Sequence, residues 1–370
     1  MEVLRDLRTL GRLSLVLGAV AMLSTSTATS AEAQRRRNEP APPPGPQWPL
    51  KTREHVDLWL HGFALLQEDT AKVPFFQRGY AERLTVLKNS RGLYTEFDKA
   101  RNDLMRIGAE RNLLLNAQFL PLYFGSWDEM RQAFEYFFKA EGNPRSASNQ
   151  QVAGIIAFLA QQFPRSDDRA WAKRFVETLH DEYAQFYKAY WLETFRARGA
   201  ALAKTDSLWQ GSWRPAMQRF LSYVQQPDGN LILSLPLGGE GRALGAGKSQ
   251  NEFAVPFPAT PDSAEIVLYV FAHEVSGSIA RNAVNDHLTP AQQRAGEGER
   301  YSAAGLVRGG ALLVERLFPG MGERYARYYL AQMGVAYEGS ATAALEAAFP
   351  MLPEMVAEMK RQIELSFQGI

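Results

Sequence analysis

Residues 271–287 read FAHEVSGSIARNAVNDH. With EIVLYV ahead of it, the stretch keeps the apolar period of a helix. His273 and Glu274 stand side by side near its middle. Residue 277, which would return to the face of His273 one turn later, is glycine. Asp262 and Glu265 have the spacing of a capping box ahead of the helix, and Thr289-Pro290 follow it, so one helix is predicted from about 263 to 288.

The flanking segments differ in texture. Upstream, a Pro-Asp-Gly turn at 227–229 precedes an apolar run, 231–237. A glycine-rich stretch and a second strand candidate, 251–257, come next. Gly247-Lys248-Ser249 invites comparison with a phosphate-binding loop. The glycine that should open that motif is Arg242, and a strand pattern rather than a helix follows, so a hairpin loop is expected instead. Downstream, RYSAAGLVRGGALLVERLFPG, 300–320, reads as a helix rich in small residues. Gly305, Gly309 and Gly310 suggest close helix–helix approach, and two further helices close the chain.

From 52 to 226 nearly everything reads helical. Val56, Trp59, Leu60 and Phe63 share one helical face, Ser126 and Glu129 suggest a capping box, and 169–199 is a long aromatic helix. Aromatic residues at that spacing are expected to build core rather than a ligand groove. Residues 34–51 hold three arginines and six prolines and read as a disordered linker, with folded structure starting near Thr52. Residues 1–33 have the pattern of a signal peptide: Arg5, Arg8 and Arg12, an apolar run over 13–23, and Ala31-Glu32-Ala33 as the cleavage site, which leaves Gln34 as the mature N-terminus. That run of about 11 residues is too short for a membrane span of roughly 20, so no transmembrane segment is expected in the mature chain. The protein has no cysteine, hence no disulfide. With 41 basic and 40 acidic residues it shows no basic excess that would point to nucleic acid.

The His-Glu pair is the first half of H-E-x-x-H, in which two imidazoles at i and i+4 grip zinc and the glutamate activates the bound water. Over about 227–330 the chain resembles the gluzincin group of zinc metallopeptidases. Two strand candidates precede the helix of His273 and Glu274, and a later helix carries Glu315 in LLVERL. The resemblance implies His273 as first zinc ligand, Glu274 as general base, Glu315 as third ligand, and Tyr328 or Tyr329 as oxyanion donors. Gly277 departs from it, because glycine offers no second ligand. His55, His61 and His180 lie in the helical N-terminal part, and His287 lies too far along the helix to share an ion with His273.

The expected fold is mainly α with a small β element (α+β): a zincin-like region, 227–370, packed on a helical region, 52–226. The expected function is an exported, periplasmic or secreted protein related to zinc peptidases but non-catalytic, with zinc weakly bound or absent. Two alternatives stay open: an active zinc-dependent hydrolase of peptides or proteins with an altered ligand set, and a structural helical protein of the envelope.

Overall fold

The computed structural model describes residues 47–67, 73–110, 113–245 and 250–368. The expected signal segment, most of the proline-rich stretch and the Gly247-Lys248-Ser249 triplet lie outside the described residues. The chain is mainly α with one small four-stranded sheet.

In chain order, strand β1 (Leu50–Thr52) leads into α1 (Glu54–Leu66), α2 (Tyr80–Ser90), α3 (Glu96–Glu110) and α4 (Leu113–Ala117). Helices α5 (Trp127–Lys139), α6 (Gln150–Gln162), α7 (Ser166–Glu182), α8 (Lys188–Ala197), α9 (Gly199–Leu208) and α10 (Arg214–Tyr223) follow. Wider π-type turns, Tyr183–Tyr187 and Trp209–Trp213, join α7 to α8 and α9 to α10. Strands β2 (Gly229–Ser234), β3 (Arg242–Leu244) and β4 (Asn251–Pro256) come next. The chain ends in α11 (Glu265–Val275), α12 (Gly277–His287), α13 (Pro290–Arg294), α14 (Glu297–Leu317), α15 (Met321–Met333), α16 (Ala341–Ala348) and α17 (Pro353–Gln368).

The sheet order is β1-β2-β4-β3. Strand β2 runs parallel to β1 and to β4, and only β3 is antiparallel, to β4. The two apolar runs are therefore not the arms of a hairpin. Their link contains β3, which pairs back onto β4 and lets the chain reach β4 in the direction of β2. Strand β1 is a second departure from expectation. It starts at Leu50, inside the stretch read as linker, and Trp48 before it is fully buried. Its partner residues are Leu231, Ile232 and Leu233, a pairing that local composition cannot announce.

Side chains alternate across a strand. Ile232, Leu237 and Ala254 enter a core built from α1 to α8. Leu231, Leu233, Phe253 and Val255 enter a second core, built from α9, α10, the helices after β4, and Trp48. The sheet is thus covered on both faces, as parallel sheets require. Helix α1 is buried all round, because it lies under the sheet with α3, α7 and α2 about it.

Buried polar groups tie these elements together. Asp57 on α1 is wholly buried and accepts hydrogen bonds from Trp191 Nε1 at 2.8 Å and from the amide of Leu235, just past β2, at 3.1 Å. Burial outweighs those bonds and pushes its carboxyl up to about 7. Glu182, at the end of α7, is likewise buried. It accepts from Lys88 Nζ at 2.7 Å, lies 3.3 Å from His61 Nε2, and is held closely by the Thr95 hydroxyl. Burial works to raise its pKa, but His61 and Lys88 together bring it down to about 2.

Local starts and stops differ in detail from the sequence reading. Ser126 caps α5 by accepting from Glu129 N at 3.1 Å, whereas the Glu129 carboxylate takes the amide of Gly125, not that of Ser126. Ahead of α11 the capping pair is Thr260 and Ser263 rather than Asp262 and Glu265, since Glu265 instead binds Tyr269 and Arg324.

The Lys88→Met variant keeps the apolar stem but leaves the Glu182 carboxylate buried without its cation. Breaking such a pair costs about 3–5 kcal/mol, so the variant is expected to melt well below the parent in a thermal scan at neutral pH. A change within error would show that Lys88 does not hold this core together.

Candidate functional site

Helix α11, EIVLYVFAHEV, is apolar on two sides and packs between β4 and α14. The expected single helix is interrupted at Ser276. Its hydroxyl donates to the carbonyl of His273 at 3.0 Å and lies 3.4 Å from that of Leu306. A hydroxyl drawn to its own helix's carbonyl bends a helix at that point.

The glycines of α14 set how close it comes, as their spacing suggested. A Cβ at Gly305 would stand 3.1 Å from Ala280 Cβ, and one at Gly309 would stand 3.0 Å from Ser276 Oγ. One at Gly310 would meet the Tyr325 hydroxyl and stand 3.0 Å from the Cα and N of His273. Gly277 is less crowded, with Leu306 Cδ2 at 3.2 Å from the same hypothetical atom.

His273 is 2% exposed. Its Nδ1 lies 3.1 Å from Glu274 Oε1, and its ring stacks on Tyr329, centroids 5.6 Å apart. The Glu274 carboxylate also accepts the amide of Gly241 at 2.8 Å. Gly241 can come so near only as glycine, because a Cβ there would sit 2.8 Å from both Glu274 Cγ and Ala254 O. Two neighbouring hydroxyls reach the same loop: Tyr328 donates to Gly238 O at 3.2 Å and Tyr329 to Gly239 O at 3.1 Å. Arg242, next in sequence, is buried against Phe75 and Phe76 and donates to Gln118 Oε1 at 2.7 Å.

Burial alone would lower the His273 pKa, yet the bond and charge of Glu274 raise it above its usual value. For Glu274 burial works upward, and His273, the Gly241 amide and Arg242 bring it below the usual carboxylate range. Each group thus shifts the other toward its charged form, at the loop that leads into β3.

The structure brings His273, Glu274 and Tyr329 together and places Glu315 elsewhere. The Glu315 carboxylate accepts the amides of Gly320 at 3.1 Å and Gly322 at 2.9 Å, capping the start of α15. It follows Gly310, the residue that touches His273, by five positions, which is about 7.5 Å along α14 and about 140° around it. Among the described residues no group of three His, Cys, Asp or Glu is placed to hold a metal ion. His287 ends α12, and the other three histidines are occupied in the first half of the fold. His55 Nε2 bonds Phe124 O at 2.8 Å, His61 bonds Glu182, and His180 accepts from Trp127 at 3.3 Å.

The sequence pattern singled out His273 and Glu274 but passed over Gly241 and Arg242 as ordinary loop. The only available signal was the glycines of 238–241 (Gly238, Gly239 and Gly241), whose bare backbone allows this approach. Comparison of the chain with protein-family models, curated proteins and solved structures found no match.

Two measurements probe this site. Gly310→Ala should force α14 off His273 and cost about 1–3 kcal/mol, whereas Gly277→Ala, opposed only by the end of Leu306, should leave the melting temperature nearly unchanged. Glu274→Gln tests the His273–Glu274 pair against pH. The raised His273 pKa stabilises fully below 6.5 and fades as pH climbs through the folded value, and the lowered Glu274 pKa stabilises above 4.5 and fades as pH falls through the folded value. The loss of stability in Glu274→Gln should therefore be largest between pH 4.5 and 6.5.

Proposed function

We propose that the chain is an exported, non-catalytic relative of the zinc metallopeptidases in which the His-Glu helix braces the edge of a sheet instead of holding a metal. The observation that carries this is where the carboxylates are committed. Glu274, the general base of the resemblance, is bound by the Gly241 amide and His273, and Glu315, its third ligand, caps α15. The hydroxyls of Tyr328 and Tyr329 are likewise spent on the 238–239 carbonyls.

Two features support the relationship. An antiparallel edge strand, β3, lies beside the His-Glu helix, and a second helix crosses it through a glycine contact. With glycine at 277, the i, i+4 pair that would chelate zinc is missing, and Glu274 has no metal-bound water to deprotonate. No peptide hydrolysis follows. Among the described residues no helix is long and apolar enough to cross a membrane. Export rests on the first 33 residues, and Gln34 is the mature N-terminus in this proposal.

The test is thermal melting of the mature protein in chelator and in excess zinc, for the parent, His273→Ala and Gly277→His. A ligand that binds only the folded state raises stability by RT ln(1 + [L]/Kd). The parent should melt alike in both solutions, and His273→Ala should melt lower in both alike. Gly277→His should likewise show no zinc-dependent rise, because with Glu315 held at the start of α15 two imidazoles have no third ligand beside them. Stoichiometric zinc in the parent, with a melting rise abolished by His273→Ala, would overturn the proposal in favour of a working metal site.

A further inference from the structure

At the carboxyl ends of β2 and β4 the chain leaves a pocket of about 310 Å³. It forms where the segment before α2 pairs with the segment after β2. Gln77 N donates to Pro236 O, Gly238 N to Phe75 O, and Gly239 N to Pro74 O, all at 2.9 Å. This pairing brings Arg78 to the rim, and the first turn of α2 adds Arg83.

Some cations of this chain are paired with carboxylates, and among the described residues these two are not. Arg324, for example, meets Glu265 at 2.6 Å and Arg308 meets Glu346 at 2.7 Å. Arg83 instead donates to the Arg78 carbonyl at 2.6 Å and to Gln77 Oε1 at 3.2 Å. Arg78 extends its guanidinium over Gly334, where a Cβ would stand 3.2 Å from Nη1. Among the described residues neither has a carboxylate within ion-pair distance, although Glu82 shares the first turn of α2. Beneath them Leu237, Pro256 and Ile266 make an apolar wall, with Tyr328 and Gln332 beside it.

We propose that this pocket binds a small organic anion, its carboxylate or phosphate head held by Arg78 and Arg83 and its apolar body laid on Leu237, Pro256 and Ile266. Guanidinium forks match the paired oxygens of both head groups. The crevice beyond the carboxyl ends of parallel strands is where open sheets with helices on both faces take ligands. The volume is at the low end for small-molecule pockets, which fits a ligand of modest size. The inference is independent of whether the His273 helix holds zinc, since no residue of that pair lines the pocket.

Calorimetric titration of the mature protein with octanoate, phenyl phosphate and uncharged octanol tests it. Octanoate or phenyl phosphate should bind, and octanol should bind at least about tenfold more weakly, because the charged hydrogen bonds are lost. Binding of one anion alone assigns the head group; binding of both leaves carboxylate and phosphate equivalent at the arginines. The Arg78→Gln/Arg83→Gln double variant should weaken the anion at least about tenfold. So should Gln332→Glu, which places a like charge on the pocket wall and leaves both arginines intact. Failure of both anions to bind at millimolar concentration, equal binding of octanol, or unchanged affinity in Gln332→Glu and in a double variant that still melts cooperatively would each overturn the proposal.

Discussion

Leu231, Leu233, Phe253 and Val255 leave the central sheet in one direction, and Ile232 and Ala254 leave it in the other. Everything else is arranged around that division. A parallel pair of strands presents apolar side chains to both faces, and each face must be covered by helices. The first 150 or so described residues cover one face, and the chain after α8 covers the other, reaching back to take Trp48 as well. The sheet is so narrow that its wall is only six residues deep in β2 and β4. At its margins polar ties pin one helix of each layer to it: Asp57 joins α1 to the carboxyl end of β2, and Glu274 joins α11 to the loop before β3.

The helical character of the chain was legible because it rests on local periodicity, as were the tight approach of α14 and the two main strands. The topology was not. That β2 and β4 are parallel, that β1 joins them, and that Trp48 is core all depend on partners far away in sequence. A proline-rich surrounding disguised Leu50–Thr52, and the short β3 was hidden in a glycine run. The division at 226 placed α9 and α10 with the first helices, whereas Trp209, Trp213, Met217 and Phe220 pack in the second core. Nothing in their amphipathic pattern says which of two cores they face.

The candidate site was half legible. His273 and Glu274 do meet a glycine-bearing helix, as the spacing of Gly305, Gly309 and Gly310 suggested, but the loop leading into β3 that Glu274 binds was not foreseen. Glu315 fitted by order alone. Helical phase settles the matter against it: five residues from the contact point at Gly310 turns a side chain away, and the nearby amides of Gly320 and Gly322 supply a local use for its charge. Arg78 and Arg83 carried no sequence signal, since two surface arginines on a polar turn are common. Their interest arises only where the segment after β2 folds against them.

The parallel pairing of β1 with β2 has a kinetic side. Leu50 and Leu231 are neighbours in the sheet, yet 181 residues apart in the chain. Closing a flexible loop of that length costs about 4–5 kcal/mol of chain entropy plus a constant, before any contact in the sheet rewards it. The helices between them make mostly near-sequence contacts and can form early, and in doing so they carry Thr52 and Gly229 together and shorten the effective loop. The strand that opens the fold is then seated after the helices that follow it. Trp48 is packed edge-on against Phe253 and Phe271 only once β1 is in place, so its burial marks that step.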